Sequence, residues 1–184
     1  MQDITPRIHF IHLLQNNRPR AMAWIRGDMH TPFSGNTMRP SSVQPPGTPP
    51  SPPSQISGLV KFYDTSYGGV LVEAEIFGLP NISTPFSSDF YGFHIHEVGD
   101  CSQNFTHTGN HYDPNMEEHP NHAGDMPPLL GNQGYAWMSF FDRRFTIDEI
   151  MGRSVVIHQM ADDFHTQPSG NSGAKIACGV IRPV

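Results

Sequence analysis

One stretch, Tyr91–Asp125, constrains this chain more than any other. It reads YGFHIHEVGDCSQNFTHTGNHYDPNMEEHPNHAGD and holds six of the chain's eleven histidines within thirty-five residues. His94 and His96 stand two apart in a strand-like run, so both side chains leave the same face of one strand. His111, His119, His122 and Asp125 follow in a loop rich in Gly, Pro and Asn. Imidazole nitrogens joined by one carboxylate suit a borderline divalent ion such as zinc or copper, not calcium or magnesium. Two histidines on a strand would mean little alone, because packed or solvated imidazoles are common. Here three more histidines and Asp125 follow them, and His158 appears in a second apolar run, SVVIHQMADD. The density favours a metal site with donors enough for two ions.

The remaining pattern is that of short strands. Ile56, Gly58, Val60 and Phe62 alternate with Leu59, Lys61 and Tyr63. After the turn Tyr67-Gly68-Gly69, Val70, Val72, Ala74 and Ile76 share one face while Glu73 and Glu75 take the other, as in a half-buried antiparallel strand. Residues 21–26 (AMAWIR), 90–97, 135–141, 155–158 and 176–181 read as further strands. Thr146 stands three before Glu149, a capping box for one helical turn. Many short strands with Gly/Pro-rich joints predict an all-β sandwich or barrel. Residues 1–20 show no sustained periodicity and read as a loose N-terminal arm, and residues 21–184 as one domain. Within it, residues 28–55 read as an excursion; seven of the fourteen residues from Pro40 to Pro53 are proline, which cannot build a core.

Several function classes recede. The net charge is −6 and only two lysines are present, so no basic stripe offers itself to nucleic acid. No apolar run reaches the roughly 20 residues that cross a bilayer, so no membrane role is expected. The apolar run Ile8–Leu14 is short, and Arg18 and Arg20 separate it from the small residues Ala21-Met22-Ala23, a poor fit to a secretory signal. A cytoplasmic chain is the expectation. The two cysteines, 77 positions apart, form no C-x-x-C motif and are either one disulfide or two unrelated thiols.

Five separate motifs, in order, resemble the copper/zinc superoxide dismutases, and the early first cysteine, directly after Gly99-Asp100, resembles bacterial members. Gly92-Phe93-His94-Ile95-His96-Glu97 is similar to that family's first copper motif, and Gly109-Asn110-His111-Tyr112-Asp113-Pro114 to its bridging-histidine motif. His119 with His122-Ala123-Gly124-Asp125 resembles the zinc loop. The segments 152–163 (GRSVVIHQMADD) and 170–180 (GNSGAKIACGV) resemble the two C-terminal motifs. The likeness spans residues 56–182, and AMAWIRG resembles the first strand. It implies an eight-stranded antiparallel Greek-key barrel with long metal-binding and electrostatic loops. It also implies copper on His94, His96, His111 and His158, and zinc on His111, His119, His122 and Asp125, with His111 shared. Asp162 matches the carboxylate that links ligand histidines of the two metals, which would fix their rings and tautomers. Cys101 and Cys178 match the family's disulfide, worth about 4–5 kcal/mol in the chain-entropy model.

The activity so implied is dismutation of superoxide to oxygen and hydrogen peroxide, by alternate reduction and reoxidation of a His-bound copper beside a structural zinc. Superoxide is then the small-molecule substrate. Family members differ in assembly, a homodimer among the options, and no interface can be read from the residues. Lys175 falls where the family has an arginine that guides the anion; lysine keeps the charge but not the planar two-pronged donor. Lys175 and His111 are therefore the expected catalytic residues. The His119–His122 spacing is tighter than in the long zinc loops of many relatives. Two other readings stand beside the enzyme: a copper/zinc-binding protein of the same fold that buffers or delivers metal, and a surface protein attached through its proline-rich segment. His9, His12, His30, His107 and His165 read as solvated, though His107 lies inside the metal loop.

Overall fold

The computed structural model describes residues 6–27, 56–80 and 89–184. Seven strands form one curled antiparallel sheet: β1 (Ala21–Gly27), β2 (Ser57–Asp64), β3 (Val70–Phe77), β5 (Phe93–His96), β7 (Tyr135–Asp142), β8 (Ser154–His158) and β9 (Lys175–Pro183). Their order is β5-β8-β9-β1-β2-β3-β7. β4 (Phe90–Tyr91) runs into β5 and pairs with β6 (Leu129–Leu130), which leads into β7, so the two edges of the sheet meet through this small ladder. Taking Phe90–His96 as one interrupted strand gives the expected eight-stranded barrel among the described residues. The interruption is Gly92: a Cβ there would lie 2.7 Å from the Ser172 Cβ and 3.2 Å from the His158 Cβ.

Alternation fills the barrel. Ala21, Ala23 and Ile25 of β1, Val60 and Phe62 of β2, and Val72, Ala74 and Ile76 of β3 are all buried and belong to one cluster. Phe93 and Ile95 of β5 and Val155 and Ile157 of β8 join it, each burial favouring the fold by about 1.5–3 kcal/mol. Because the side-chain period is two, the same strands must aim His94, His96, Val156 and His158 at the opposite, outer face. That outer face is roofed rather than left to water. Val156 is buried with Phe105 and Cys178 under the segment that Cys101 ties down through the Cys101–Cys178 disulfide. Trp24 and Trp137 are more than half exposed on the barrel surface.

The short helix α2 (Ile147–Ile150) carries the expected capping box: Thr146 accepts from the Glu149 N–H while the Glu149 carboxylate accepts from the Thr146 N–H. The arm expected to be loose contains a helix, α1 (Pro6–Asn16). Pro6 opens it, where a missing N–H costs nothing. It escapes a periodicity search because it buries no residue and presents no apolar stripe. It is anchored by Phe10, stacked on Phe141 at 5.0 Å, by His9, which meets Tyr67 edge-on at 5.5 Å and accepts from the Ser66 N–H, and by Asn17, whose Oδ1 accepts from the Lys61 Nζ at 2.8 Å. Residues 1–5 and the excursion at 28–55 lie outside the described residues. No described helix is long and apolar enough to cross a membrane.

Candidate metal centre

The outer edge of β5 builds the site. The Tyr112 N–H donates to the Ile95 carbonyl and the Ile95 N–H to the Gly124 carbonyl, so both loop segments run along this strand. The pairing sets His111 opposite His96 and Asp125 opposite His94. His158 arrives from the end of β8, where its N–H donates to the Gly92 carbonyl. Two groups result, His94/His96/His111/His158 and His111/His119/His122/Asp125, each with its donor atoms within 4.8 Å of one another and every residue buried. Every expected ligand is in one of these groups. His111 is in both.

Hydrogen bonds fix which nitrogen each ring presents. His96 Nδ1 lies 3.0 Å from the Gly109 carbonyl and His158 Nδ1 3.3 Å from the Gly173 carbonyl, so both carry a proton there. Their Nε2 atoms, left as lone pairs, face each other at 3.2 Å. Asp162 accepts from His94 Nε2 through one oxygen and from His119 Nε2 through the other, each at 2.8 Å. That leaves Nδ1 of His94 and of His119 buried and without a hydrogen-bond partner among the described residues, as are His111 Nε2 and His122 Nδ1. The Asp125 carboxylate lies 3.0 Å from His119 Nδ1, an acceptor facing an acceptor. Such a contact is repulsive unless a cation neutralises it. The donor set therefore fits two bound metals.

Electrostatics agree. Burial pushes the His158 ring down to about 3 and the His111 ring down to about 4, the neighbouring His94 adding to both. His96 is likewise held well below its ordinary value, first by burial and then by His111 and His158. Neutral imidazoles keep the lone pairs that metals need. Burial alone would raise Asp162, yet the hydrogen bonds from His94, His119 and the Phe164 N–H outweigh it and hold the carboxylate ionised.

A cavity of about 440 Å³ opens on the four-histidine group, reaching His96, His111 and His158. Lys175 lines it and donates from Nζ to Thr108 Oγ1 at 2.7 Å and to the Gly109 carbonyl at 2.9 Å. Burial lowers this ammonium's pKa, while Glu97 on the same wall acts to raise it. Thr108 and Gly170 escaped the reading of the sequence. Gly170 has φ +66°, and a Cβ there would sit 2.1 Å from Asp162 Oδ1, so only glycine leaves the Asp162 bridge room. A lone Gly in a polar loop carries no such signal. His107 lies outside both groups, bonded to Ser102 and near Asp100 at the surface.

The family model for copper/zinc superoxide dismutase matches residues 56–181. This chain belongs to the copper/zinc superoxide dismutase family. The family implies copper and zinc, which the two donor groups fit. The chain is also 34% identical over 148 residues to the extracellular superoxide dismutase (Cu-Zn) of Mus musculus, 76% of this chain and 58% of that one. It thus spans little more than half the length of that relative. Among solved structures it is similar to the crystal structure of the clock protein EA4, with a TM-score of 0.67 and 28% identity, covering 90% of this chain and 96% of the other. The family match begins at residue 56, yet β1 lies near the middle of the sheet, paired with β2 on one side and β9 on the other.

Proposed function

We propose that this protein is a superoxide dismutase, with copper on His94, His96, His111 and His158 and zinc on His111, His119, His122 and Asp125. One observation carries the reading: two buried donor groups share His111, and one of them opens on a cavity that holds Lys175. Copper, when bound, supplies a one-electron couple that oxidises one superoxide to oxygen and reduces a second to hydrogen peroxide. The chain's own residues do the rest. Lys175 draws the anion into the cavity and holds it beside the histidines. His111 Nε2 faces the copper group; when not bonded to copper it would take up a proton and pass it to the reduced product, the second proton coming from water. Asp162 keeps the His94 and His119 rings turned so that Nδ1 of each stays available. The test is superoxide removal by protein loaded with copper and zinc, repeated after copper is stripped and again after it is restored. Removal that vanishes and returns with copper supports the enzyme.

A second reading, metal binding without useful turnover, draws on Lys175. Two of its three ammonium protons are engaged by Thr108 and Gly109, leaving one for a substrate anion. An arginine offers five donors in a fixed fork. Lys175→Arg is expected to raise the rate of superoxide removal, most at low ionic strength where guidance is least screened. An unchanged or lower rate would detach Lys175 from the copper site. We propose an oxidising compartment in place of the cytoplasmic expectation, supported by the Cys101–Cys178 disulfide and by the extracellular name of the mouse relative. Alkylation of freshly lysed source cells checks it: free thiols on Cys101 and Cys178 would restore the cytoplasmic placement.

A further inference from the structure

The zinc-side ligands His122 and Asp125 sit in a tight turn outside any helix or strand. The turn is closed by its own bonds, the His122 N–H donating to Asp125 Oδ2 and the Asp125 N–H to the His122 carbonyl, both at 3.1 Å, and its inner side is tied to the barrel by the Gly124 N–H to the Tyr112 carbonyl and the Ile95 N–H to the Gly124 carbonyl. Its outer side is gripped by one residue from elsewhere. Arg144, two residues past the end of β7, donates from one terminal nitrogen to the His122 carbonyl at 3.3 Å and from the other to the Asp125 carbonyl. The guanidinium is itself held by the buried Asp142, the last residue of β7, through Nε at 3.1 Å and a terminal nitrogen at 2.6 Å. The Arg144 N–H donates to the same carboxylate at 2.8 Å. Arg144 thus links a sheet strand to the first and last residues of the ligand turn.

We propose that Arg144 is a positioning residue for the zinc side: it holds His122 and Asp125 in ligand geometry and slows escape of the metal from that group. This rests on the zinc assignment above. Between His119 and His122 stand only Pro120 and Asn121, neither of them buried, and a planar donor fork can hold two diverging carbonyls and a carboxylate together, which a single ammonium cannot. The four copper-side histidines hang on β5, β8 and the bridging loop, and Arg144 reaches them only through Asp125, whose Oδ1 lies 2.7 Å from Nδ1 of the shared His111, so its effect falls first on the zinc group.

The test compares full-length wild type with Arg144→Gln, Arg144→Lys, Arg143→Gln and His122→Ala. Zinc and copper affinities are each measured by competition with a coloured chelator, and zinc release is followed after dilution into that chelator. Arg144→Gln is expected to weaken zinc about 10–100-fold, the range seen when supports of ligands are removed, with copper affinity falling far less. Arg144→Lys should lie between it and wild type, and Arg143→Gln should match wild type. Wild-type zinc affinity in Arg144→Gln, or equal weakening of zinc and copper, overturns the proposal. If Arg144→Gln does not fold, Arg144→Lys decides: zinc affinity equal to wild type overturns it, and a selective loss supports it. His122→Ala separates the two levels, for zinc binding that survives this substitution would remove the zinc assignment itself.

Discussion

At the scale of single residues, the function rests on how ring nitrogens are shared out. His111 is the one side chain in both donor groups, whereas His158 serves only the four-histidine group. His111→Ala is therefore expected to disturb both metals, and His158→Ala to lose copper while retaining zinc. Elemental analysis of metal-loaded, dialysed variants checks this; equal loss of both metals from the His158 variant would break the assignment. The metal-free protein should also respond to acid. The unfolded imidazole takes its proton near its ordinary value of 6.5, the folded His111 only at about 4. Between those values the unfolded chain binds more protons, so the His111 contribution to stability falls as pH drops through this window and levels off below it. Denaturant midpoints of metal-free protein at pH 7, 5.5 and 4 measure the effect. A flat profile would mean that these rings are not neutral in the fold.

At the scale of elements, β8 joins stability to function because its two faces do different work. Ile157 points into the barrel core and His158, the next residue, points out into the four-histidine group. Ile157→Ala should cost about 2–5 kcal/mol of unfolding free energy. It leaves every ligand in the chain, so the folded fraction should still bind both metals, which denaturant unfolding with and without metal can separate. α1 is the contrasting case. It buries none of its own residues and leans on Phe141 through Phe10, which is why its eleven residues offered no periodic signal. β1 and β3 were legible because one buried and one outer face impose alternation over seven or eight residues, whereas β5 and β8, buried on both faces, show only as short apolar runs.

At the scale of the whole molecule, the described residues bring the two ends of the proline-rich excursion together. β1 and β2 pair up to Arg26 and Ser57, and the Gly27 N–H donates to the Ile56 carbonyl at 2.8 Å, so residues 27 and 56 are neighbours across the ladder. Replacing residues 28–55 with a short turn should leave metal binding intact and the melting temperature equal to or above that of the full chain, since a shorter loop closes at lower entropic cost. A large fall in melting temperature would mean that the excursion packs on the barrel. The sequence by itself determined the strand alternation, carried by residue type at fixed, short spacing, and its resemblance to the family picked out the candidate metal donors. Only the tertiary structure decided what holds those donors in place. The Asp162 bridge between His94 and His119, the room left for it by Gly170, the seat of Lys175 on Thr108, and the grip of Arg144 on the ligand turn each join residues far apart in the chain. Most of them lie in irregular loops, where no backbone period relates one position to another. Their meeting follows from how the barrel brings those loops over one face of β5.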